Sequence, residues 1–358
     1  MYKIIVMKNI IFVFLFSISI TAFASKNSVD AAMQYLSYKN YIKAKELIDQ
    51  SITDDNLKEW SKTWMVRGLV YQNIYEYSVL EKNTEFESIK ETCLLVAFES
   101  YFKSLELDEK NENTQKVLNK LKVLKQQLIF EGNDKFRRNH YKESILNYEK
   151  ALEINNIPLI HKTDLDLLYN LAIAYERGKK PEKALALYKI LRKTGYKTIE
   201  MYHMVANLCI TQKKNTMAEE ILIEGIEKYG KESHELCSRL ADHYLMYGNT
   251  AKAILYMQKS IEYDSENCIQ YYKAGELYRT IKDYDNAILC YNKAFEINNQ
   301  YCAALYKLAD IYEIRANSDI EKKFELYNLA IHCLEKILVI TPNSEIQKRI
   351  EVLRRRLV

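Results

Sequence analysis

Small and apolar residues recur along this chain at an interval of about 34 positions. One column holds small residues within apolar helical stretches, at steps of 34, 35, 34 and 34: Ala172, Ala206, Ala241, Gly275 and Ala309. Two further columns keep the same interval, one of Tyr175, Cys209, Tyr244, Tyr278 and Tyr312, and one of Ala184, Ala218, Ala253 and Ala287. Three columns in one period indicate a repeated structural unit rather than one globular core.

Within a unit, apolar residues follow a helical spacing. On one face of a first helix, positions i, i+3, i+4 and i+7 hold Tyr271, Ala274, Gly275 and Tyr278. On a second helix, one face holds Ala287, Tyr291 and Ala294. Neither helix can bury its stripe alone, so the pattern predicts antiparallel helix pairs that stack closely through their small residues.

Composition supports an all-helical protein. The 358 residues include only 8 glycines and 3 prolines, which is too few for many tight hairpins. Most of them lie at predicted helix junctions, and we expect Gly178 and Gly248 to adopt left-handed conformations between first and second helices. The stretch between Asn111 and Leu128 stays helically periodic, which predicts one long helix there and favours one elongated array over two bodies.

These patterns resemble the tetratricopeptide repeat, whose 34 residues carry a Trp, Leu-Gly and Tyr on the first helix and Ala, an aromatic residue, Ala and Pro on the second. Trp64, Gly68 and Tyr71 match the first helix of that pattern, with Arg67 where Leu is usual. Both helices are matched by Gly275, Tyr278, Ala287, Tyr291 and Ala294. The resemblance implies an all-α fold, a right-handed superhelical α-solenoid of about eight helix pairs with a C-terminal capping helix.

The repeats predict an organisation for the whole chain. We expect a signal peptide at 1–24, N-terminal repeat units at 25–111 with an insertion at about 78–94, a repeat array at 112–345 and a capping helix at 346–358. The units are predicted at 25–58, 61–111, 125–158, 165–198, 199–232, 234–267, 268–301 and 302–345.

The first 24 residues have the features of an export signal. Lys3 and Lys8 precede an apolar run at 10–20, and Ala22-Phe23-Ala24 supplies small residues at a cleavage site. The alternative is an uncleaved N-terminal anchor. Either possibility places the rest of the chain outside the cytoplasm. We expect an exported protein of the periplasm or cell envelope, or a secreted one, with no transmembrane span after removal of the signal.

Charge argues against nucleic acid as a partner. Without Lys3 and Lys8 the chain has 50 basic and 48 acidic side chains, and nucleic-acid binding normally requires a concentrated basic face. The one basic cluster, Lys348 to Arg356, falls at the end of the last predicted helix, where cations favour the helix dipole.

Catalytic and metal-binding patterns are not recognised in the sequence. His234 and Cys237 share a helix face, but His243 is nine residues from His234 and therefore faces the opposite side. We expect no metal, no cofactor and no enzymatic activity. The seven cysteines are predicted to be mostly free, buried thiols, because equivalent cysteines on stacked helices are too far apart for a disulfide.

The family resemblance implies that first helices line a concave groove for an extended peptide or a partner's helix. Beside the packing stripe, the predicted groove has an acidic row of Asp242, Glu276 and Asp310 and an aromatic set of Tyr169, Tyr272 and Tyr306. Arg239 and Arg279 complete the candidate site. Carboxylates beside aromatic rings predict a protein or peptide partner of basic character.

The groove leaves two functions open. The first is an exported, non-catalytic scaffold that binds a protein or peptide. The alternative is a glycan-binding or glycan-export accessory protein of the cell envelope, because tyrosines also stack on sugars. A basic clamp for a C-terminal carboxylate is not predicted, since the places for Lys and Asn hold Tyr169 and Ile173, then His203 and Asn207.

Overall fold

The computed structural model describes residues 26–81, 84–196 and 198–357. The predicted signal peptide at 1–24 lies outside these residues. The first nine α-helices are α1 Lys26–Ser37, α2 Tyr41–Ser51, α3 Ser61–Leu80, α4 Glu87–Glu106, α5 Thr114–Arg137, α6 Tyr141–Asn155, α7 Leu165–Arg177, α8 Pro181–Lys193 and α9 Thr198–Thr211. The others are α10 Asn215–Tyr229, α11 His234–Met246, α12 Thr250–Tyr263, α13 Cys268–Thr280, α14 Tyr284–Ile297, α15 Cys302–Ser318, α16 Lys323–Ile340 and α17 Ser344–Arg355. A short 3₁₀ helix, Gly230–Ser233, precedes α11.

Seven pairs of successive helices pack together within the described residues, namely α1/α2, α3/α4, α5/α6, α9/α10, α11/α12, α13/α14 and α15/α16, and the single helix α17 follows α16. The predicted all-α solenoid fold is confirmed. The small-residue column is buried as predicted, with Ala206 and Ala309 at 0% exposure and Ala241 at 1%. The second-helix column Ala184, Ala218, Ala253 and Ala287 is also at 0% exposure. Small side chains therefore allow the helices to approach closely, as the spacing indicated.

Contacts between residues divide the chain into two compact units, 1–187 and 188–358. The division falls within α8. In the first unit α3 packs on α4 and α5 packs on α6; in the second α9 packs on α10, α11 on α12, α13 on α14 and α15 on α16.

Six of the turns between a first and a second helix in the described residues have one residue in the left-handed region, and that residue is usually not glycine. These residues are Lys39, Asn139, Lys179, Lys213, Gly248 and Lys282. Gly248 fulfils the prediction, but the prediction for Gly178 is wrong: its φ is −79° and the next residue, Lys179, is left-handed at 59°. A Cβ at Gly178 would lie 2.7 Å from Cδ1 of Ile145, so the end of that side chain would have to shift to accommodate it.

The predicted insertion near residues 78–94 lengthens both helices of the second pair. α3 and α4 each contain 20 residues, against 13 and 14 in α13 and α14. Phe86, in the turn between the long helices, is 6% exposed and contacts the rings of Tyr41 and Tyr77 at centroid distances of 6.4 and 6.5 Å. The longer hairpin is thus fixed to the first pair by aromatic packing.

The last helix, α17, closes the apolar face of the final pair. Ile346, Ile350 and Leu353 are each at most 4% exposed and belong to the same core cluster as Leu334 and Ile337 of α16. The remaining positions of α17 are mostly polar and exposed. A terminal helix with one apolar and one polar face ends a stack of repeats without leaving apolar surface uncovered.

Candidate functional site

In the unit of residues 188–358, polar side chains join neighbouring first helices in a series that we call the first-helix ladder. Each rung pairs an acid or amide on one first helix with a cation on the following first helix. The four rungs are Asn207 with Arg239, Asp242 with Lys273, Glu276 with Lys307, and Asp310 with Arg349 of α17. The predicted acidic row is therefore one side of a two-sided arrangement.

Three of the four rungs are closed by direct contacts. Arg239 donates a hydrogen bond to Oδ1 of Asn207. Lys307 Nζ lies 3.4 Å from both carboxylate oxygens of Glu276. Arg349 forms the fourth rung, as described below. Because side-chain partners within the protein satisfy these groups, these rungs contribute to holding successive first helices in register.

Glu276 is the most highly connected acid of the ladder. Besides Lys307, it accepts hydrogen bonds from Arg279, at 3.0 Å to Oε2, and from the hydroxyl of the buried Tyr291. Partial burial alone would raise the pKa of the Glu276 carboxyl, but the donors Arg279 and Tyr291 and the charge of Lys307 outweigh it and hold the pKa below its usual range. Glu276 and Arg279 of the predicted site are thus paired with each other.

Asp310 is paired with the last helix. Arg349 of α17 donates to Oδ1 of Asp310 at 2.7 Å and to Oε1 of Glu313 at 2.8 Å. One guanidinium group therefore joins two carboxylates on α15. The basic cluster at the end of the chain, predicted as a solvated helix end, contains in Arg349 a residue that docks α17.

The rung at Asp242 is open. Lys273, its counterpart on α13, donates instead to the hydroxyl of Ser238 at 3.0 Å. Among the described residues, the Asp242 carboxylate has no hydrogen bond or ion pair, although Arg239 and Lys273 act on it electrostatically. Asp242 is exposed to solvent, but surrounding atoms desolvate its carboxyl and raise its pKa against the opposing effect of these two cations.

The sequence of α12, the second helix of the same pair, explains why no tyrosine donates to Asp242. Tyr291 follows Glu276 by 15 residues, and the residue that follows Asp242 by the same interval is Met257. Met257 is buried at 2% exposure and has no hydroxyl hydrogen to donate. The sequence of the second helix thus decides whether the acid above it has a partner from the core.

A pocket of about 190 Å³ lies at the open rung, between α9, α11 and α13. Arg239, Asp242 and Lys273 line it together with Glu235 and His203, whose Nε2 lies 3.5 Å from a Glu235 carboxylate oxygen. Burial lowers the pKa of His203, so its ring is neutral near pH 7. The pocket therefore has two cations and two carboxylates, and Ile269 lies at its edge.

The predicted aromatic set lies partly within the core. The Tyr272 ring packs on Tyr291 and Tyr301, with centroid distances of 5.6 and 5.4 Å. Tyr306 is half-buried against the same cluster. Tyr169 is half-buried in the other unit, on α7. Of the predicted site residues, the structure brings only Arg239 and Asp242 into the charged pocket.

Sequence reasoning included Arg239 in the candidate site but missed the other cations of the ladder, Lys273, Lys307 and Arg349. Arg239, Lys273 and Lys307 recur at steps of 34, each three residues before an acid of the predicted row. This periodicity was a usable signal, but an i, i+3 pair on one helix is normally interpreted as a pair within that helix. The structure shows that Lys307 reaches across to the preceding first helix instead.

The first unit has a version of the same arrangement that is built on amides. The hydroxyl of Tyr148 donates to Oδ1 of Asn133 at 2.6 Å, and Nδ2 of Asn170 donates to the same oxygen at 3.5 Å. Phe136, Arg137 and Ile173 complete a pocket of about 260 Å³. This pocket offers amide groups and one cation beside apolar side chains.

Other features bear on the function classes. In the part of the chain that the structure describes, no group of three or more His, Cys, Asp and Glu side chains is arranged to hold a metal ion. All seven cysteines are free thiols. Among the described residues, no helix combines the length and apolarity required to cross a membrane.

Comparison with protein families gives two matches, both to the tetratricopeptide repeat. They cover residues 271–301 and 166–194, within the predicted units 268–301 and 165–198. No curated protein matches the chain.

Three solved structures illustrate the folds to which the chain is similar. PilF of Pseudomonas aeruginosa is 16% identical, with a TM-score of 0.42, over 64% of this chain and 96% of PilF. The C-terminal part of a tetratricopeptide-repeat protein from Cytophaga hutchinsonii is 15% identical, with a TM-score of 0.43, over 62% and 98% of the two chains. YrrB, described as a tetratricopeptide-repeat protein with an unusual peptide-binding site, is 17% identical, with a TM-score of 0.37, over 50% and 88%.

Proposed function

This chain is a tetratricopeptide-repeat protein, and we propose that it is a non-catalytic scaffold that binds a protein or peptide partner on the first-helix face of residues 188–358. The observation that carries the proposal is the open rung at Asp242, where the charged pocket interrupts an otherwise closed ladder. A surface whose rungs are closed by side-chain contacts at three places and open at the fourth offers a partner one favourable point of attachment.

Basic character in the partner is part of this proposal. Glu276 and Asp310 already pair with cations of the chain, so a basic side chain would have to displace Lys307 or Arg349 to reach them. Asp242 needs no such displacement. A Lys or Arg side chain of the partner would make a charge-assisted hydrogen bond there, in surroundings that are less polar than water.

Site-directed photocrosslinking tests the binding surface. A benzophenone amino acid replaces Ile269, which is 49% exposed at the pocket, or Leu289, which is 66% exposed on α14, in otherwise identical full-length chains. We expect position 269 to give an adduct with one protein of a cell-envelope extract, identified by its peptides. We expect Asp242→Asn to abolish this adduct and Glu262→Gln on α12 to leave it intact. The same adducts from both positions, or an adduct unaffected by Asp242→Asn, would contradict the proposal.

Export to the periplasm, to the cell envelope or to the medium is also proposed. The support is the charged start, apolar run and small residues of the first 24 positions. Fusing residues 1–30 to a reporter enzyme that requires a disulfide tests this, because such a reporter is active only in an oxidising compartment. Activity that survives deletion of residues 10–20 would contradict export by this signal.

Glycan binding is a second candidate function, favoured by the pocket of the first unit. Asn133 and Asn170 supply amide groups, and Phe136 and Ile173 supply apolar contact, which is the mixture that a sugar ring requires. Binding of the full chain to a glycan array would test it. We expect Asn133→Ala to weaken a true glycan signal at least about tenfold and Asp242→Asn to leave it unchanged. The reverse pattern would reject this function.

A further inference from the structure

We infer that the pocket at the open rung binds a zwitterionic group, meaning one acidic and one basic group of the partner held close together. This inference rests on the proposed function and specifies the ligand chemistry of the same site. It follows from the state of each charged group that lines the pocket.

The two cations have only neutral hydrogen-bond partners. Arg239 donates to the amide oxygen of Asn207, and Lys273 donates to the hydroxyl of Ser238. Among the described residues, neither cation forms an ion pair. At the next rung Lys307 contacts a carboxylate, whereas neither cation of the pocket has a carboxylate of the described residues within ion-pair distance. Arg239 and Lys273 can therefore accept a carboxylate from a ligand.

The acidic side is equally incomplete. In the described part of the chain the Asp242 carboxylate has no hydrogen-bond donor, because Lys273 donates to Ser238 instead. The core position that holds Tyr291 in the next repeat holds Met257 here. Glu235 has a neutral imidazole, that of His203, as its neighbour at 3.5 Å. Two carboxylates without a cationic partner in contact favour a positively charged ligand group.

A ligand with one charge satisfies only half of the pocket. A lone cation at Asp242 is repelled by Arg239 and Lys273, and a lone anion between these two is repelled by Asp242. A ligand with both charges pairs each with its opposite and leaves the net charge unchanged. The arrangement thus selects for a pair of opposite charges over either charge alone.

The size of the pocket indicates that the zwitterion is a small part of a longer ligand. Its volume of about 190 Å³ is below the roughly 300 Å³ at which pockets for drug-sized molecules begin. The half-exposed Ile269 provides apolar contact at the edge for the adjoining part of the ligand. Neighbouring Lys and Asp side chains of a peptide meet these requirements.

Fluorescence polarisation with the full chain tests the inference. Four labelled octapeptides with blocked ends share a Ser/Ala background and carry Lys-Asp, Lys-Asn, Gln-Asp or Gln-Asn at the centre. At low salt, where screening is weak, we expect the Lys-Asp peptide to bind at least about tenfold more tightly than either singly charged peptide. We expect free glutamine at millimolar concentration not to displace the Lys-Asp peptide, and displacement would overturn the assignment of the two charges to side chains of a longer ligand.

Variants assign the two halves of the pocket. In Asp242→Asn, peptides with Lys are expected to bind no more tightly than peptides with Gln. In the double variant Arg239→Gln, Lys273→Gln, peptides with Asp are expected to bind no more tightly than peptides with Asn. Glu262→Gln and Lys293→Gln, both at exposed positions outside the pocket, are matched controls for the loss of each charge. Thermal unfolding of each variant checks that it is folded.

Equal binding of Lys-Asp and Lys-Asn peptides would overturn the inference, because the site would then recognise a cation alone. Binding that is unaffected by all pocket variants would overturn it as well. In either case an adduct at position 269 that depends on Asp242 would still support the proposed function. An adduct at position 269 that Asp242→Asn does not affect would reject the proposed function itself. The two failures are therefore distinguishable.

Discussion

A Cβ atom added to Gly275 would lie 2.6 Å from Cε1 of Tyr291, a distance that side chains do not tolerate. The tyrosine ring is fully buried against the glycine, and its hydroxyl donates to Glu276, the residue after the glycine. In the first unit Gly132 has the same relation to Tyr148, whose hydroxyl donates to Asn133. A glycine in the core thus allows a tyrosine to reach the ladder on the surface.

Gly275→Ala should destabilise the repeats around it. The added methyl overlaps the Tyr291 ring, and overpacking of this kind costs about 1–3 kcal/mol. Urea unfolding followed by circular dichroism measures the change. Adding Tyr291→Leu removes the overlapping ring. The free energy of unfolding of the double variant should therefore fall by less than the sum of the decreases in the two single variants. Additive losses would show that the contact does not limit packing.

The stability that Glu276 provides should depend on pH. Its folded pKa is below the ordinary value of 4.5, so its contribution is complete above that value and disappears as pH falls through the folded pKa. Comparing urea unfolding of the wild type and Glu276→Gln from pH 7 to pH 3 checks this. The wild type should be more stable at pH 7, and the difference in free energy of unfolding between the two proteins should shrink as the pH falls. Glu262→Gln is the control, and a difference that widens in acid would disprove the pairing.

Buried cysteines should resist thiol reagents in the folded protein. Burial raises the pKa of Cys93 to about 12 and the pKa values of Cys237 and Cys333 to about 11, so little thiolate exists at pH 8. We expect these three not to react with Ellman's reagent until the chain is denatured. Seven thiols should then titrate without reductant. A lower count would demonstrate a disulfide.

Arg349→Gln should loosen α17 from α15. The variant loses the ion pairs with Asp310 and Glu313, and because these groups are partly exposed the cost should be about 1 kcal/mol or less. Hydrogen exchange of α17 amides measures it. Lys348→Gln, at the exposed neighbouring position, should leave exchange unchanged. Equal exchange in both variants would mean that Ile346 and Ile350 dock the helix without help from the charge.

The freed carboxylates provide a second readout of the same variant. In Arg349→Gln, Asp310 and Glu313 lose their cationic partner on α17, so a basic peptide gains a competing site on α15. We expect the variant to bind the Lys-Asn octapeptide more tightly than the wild type does. Unchanged affinity would indicate that another cation replaces Arg349.

The sequence by itself determined the helix pairs and their core. The 34-residue interval repeats the same apolar face, and only stacked helices can bury that face, so positions such as Ala206, Ala241 and Ala287 could be assigned to the interior. The long helix α5 followed in the same way from uninterrupted helical periodicity. Burial of apolar area depends on spacing along the chain, which the sequence displays directly.

Tertiary structure alone decided the partner of each polar group. Lys307 has an acid three residues later on its own helix, yet it contacts Glu276 of the preceding first helix. Asp242 and Glu276 occupy the same place in the repeat, and their difference arises from Met257 and Tyr291 on the helix beneath. Hydrogen bonds require a donor and an acceptor within about 3 Å, and such distances between separate helices are fixed only when the pairs have stacked.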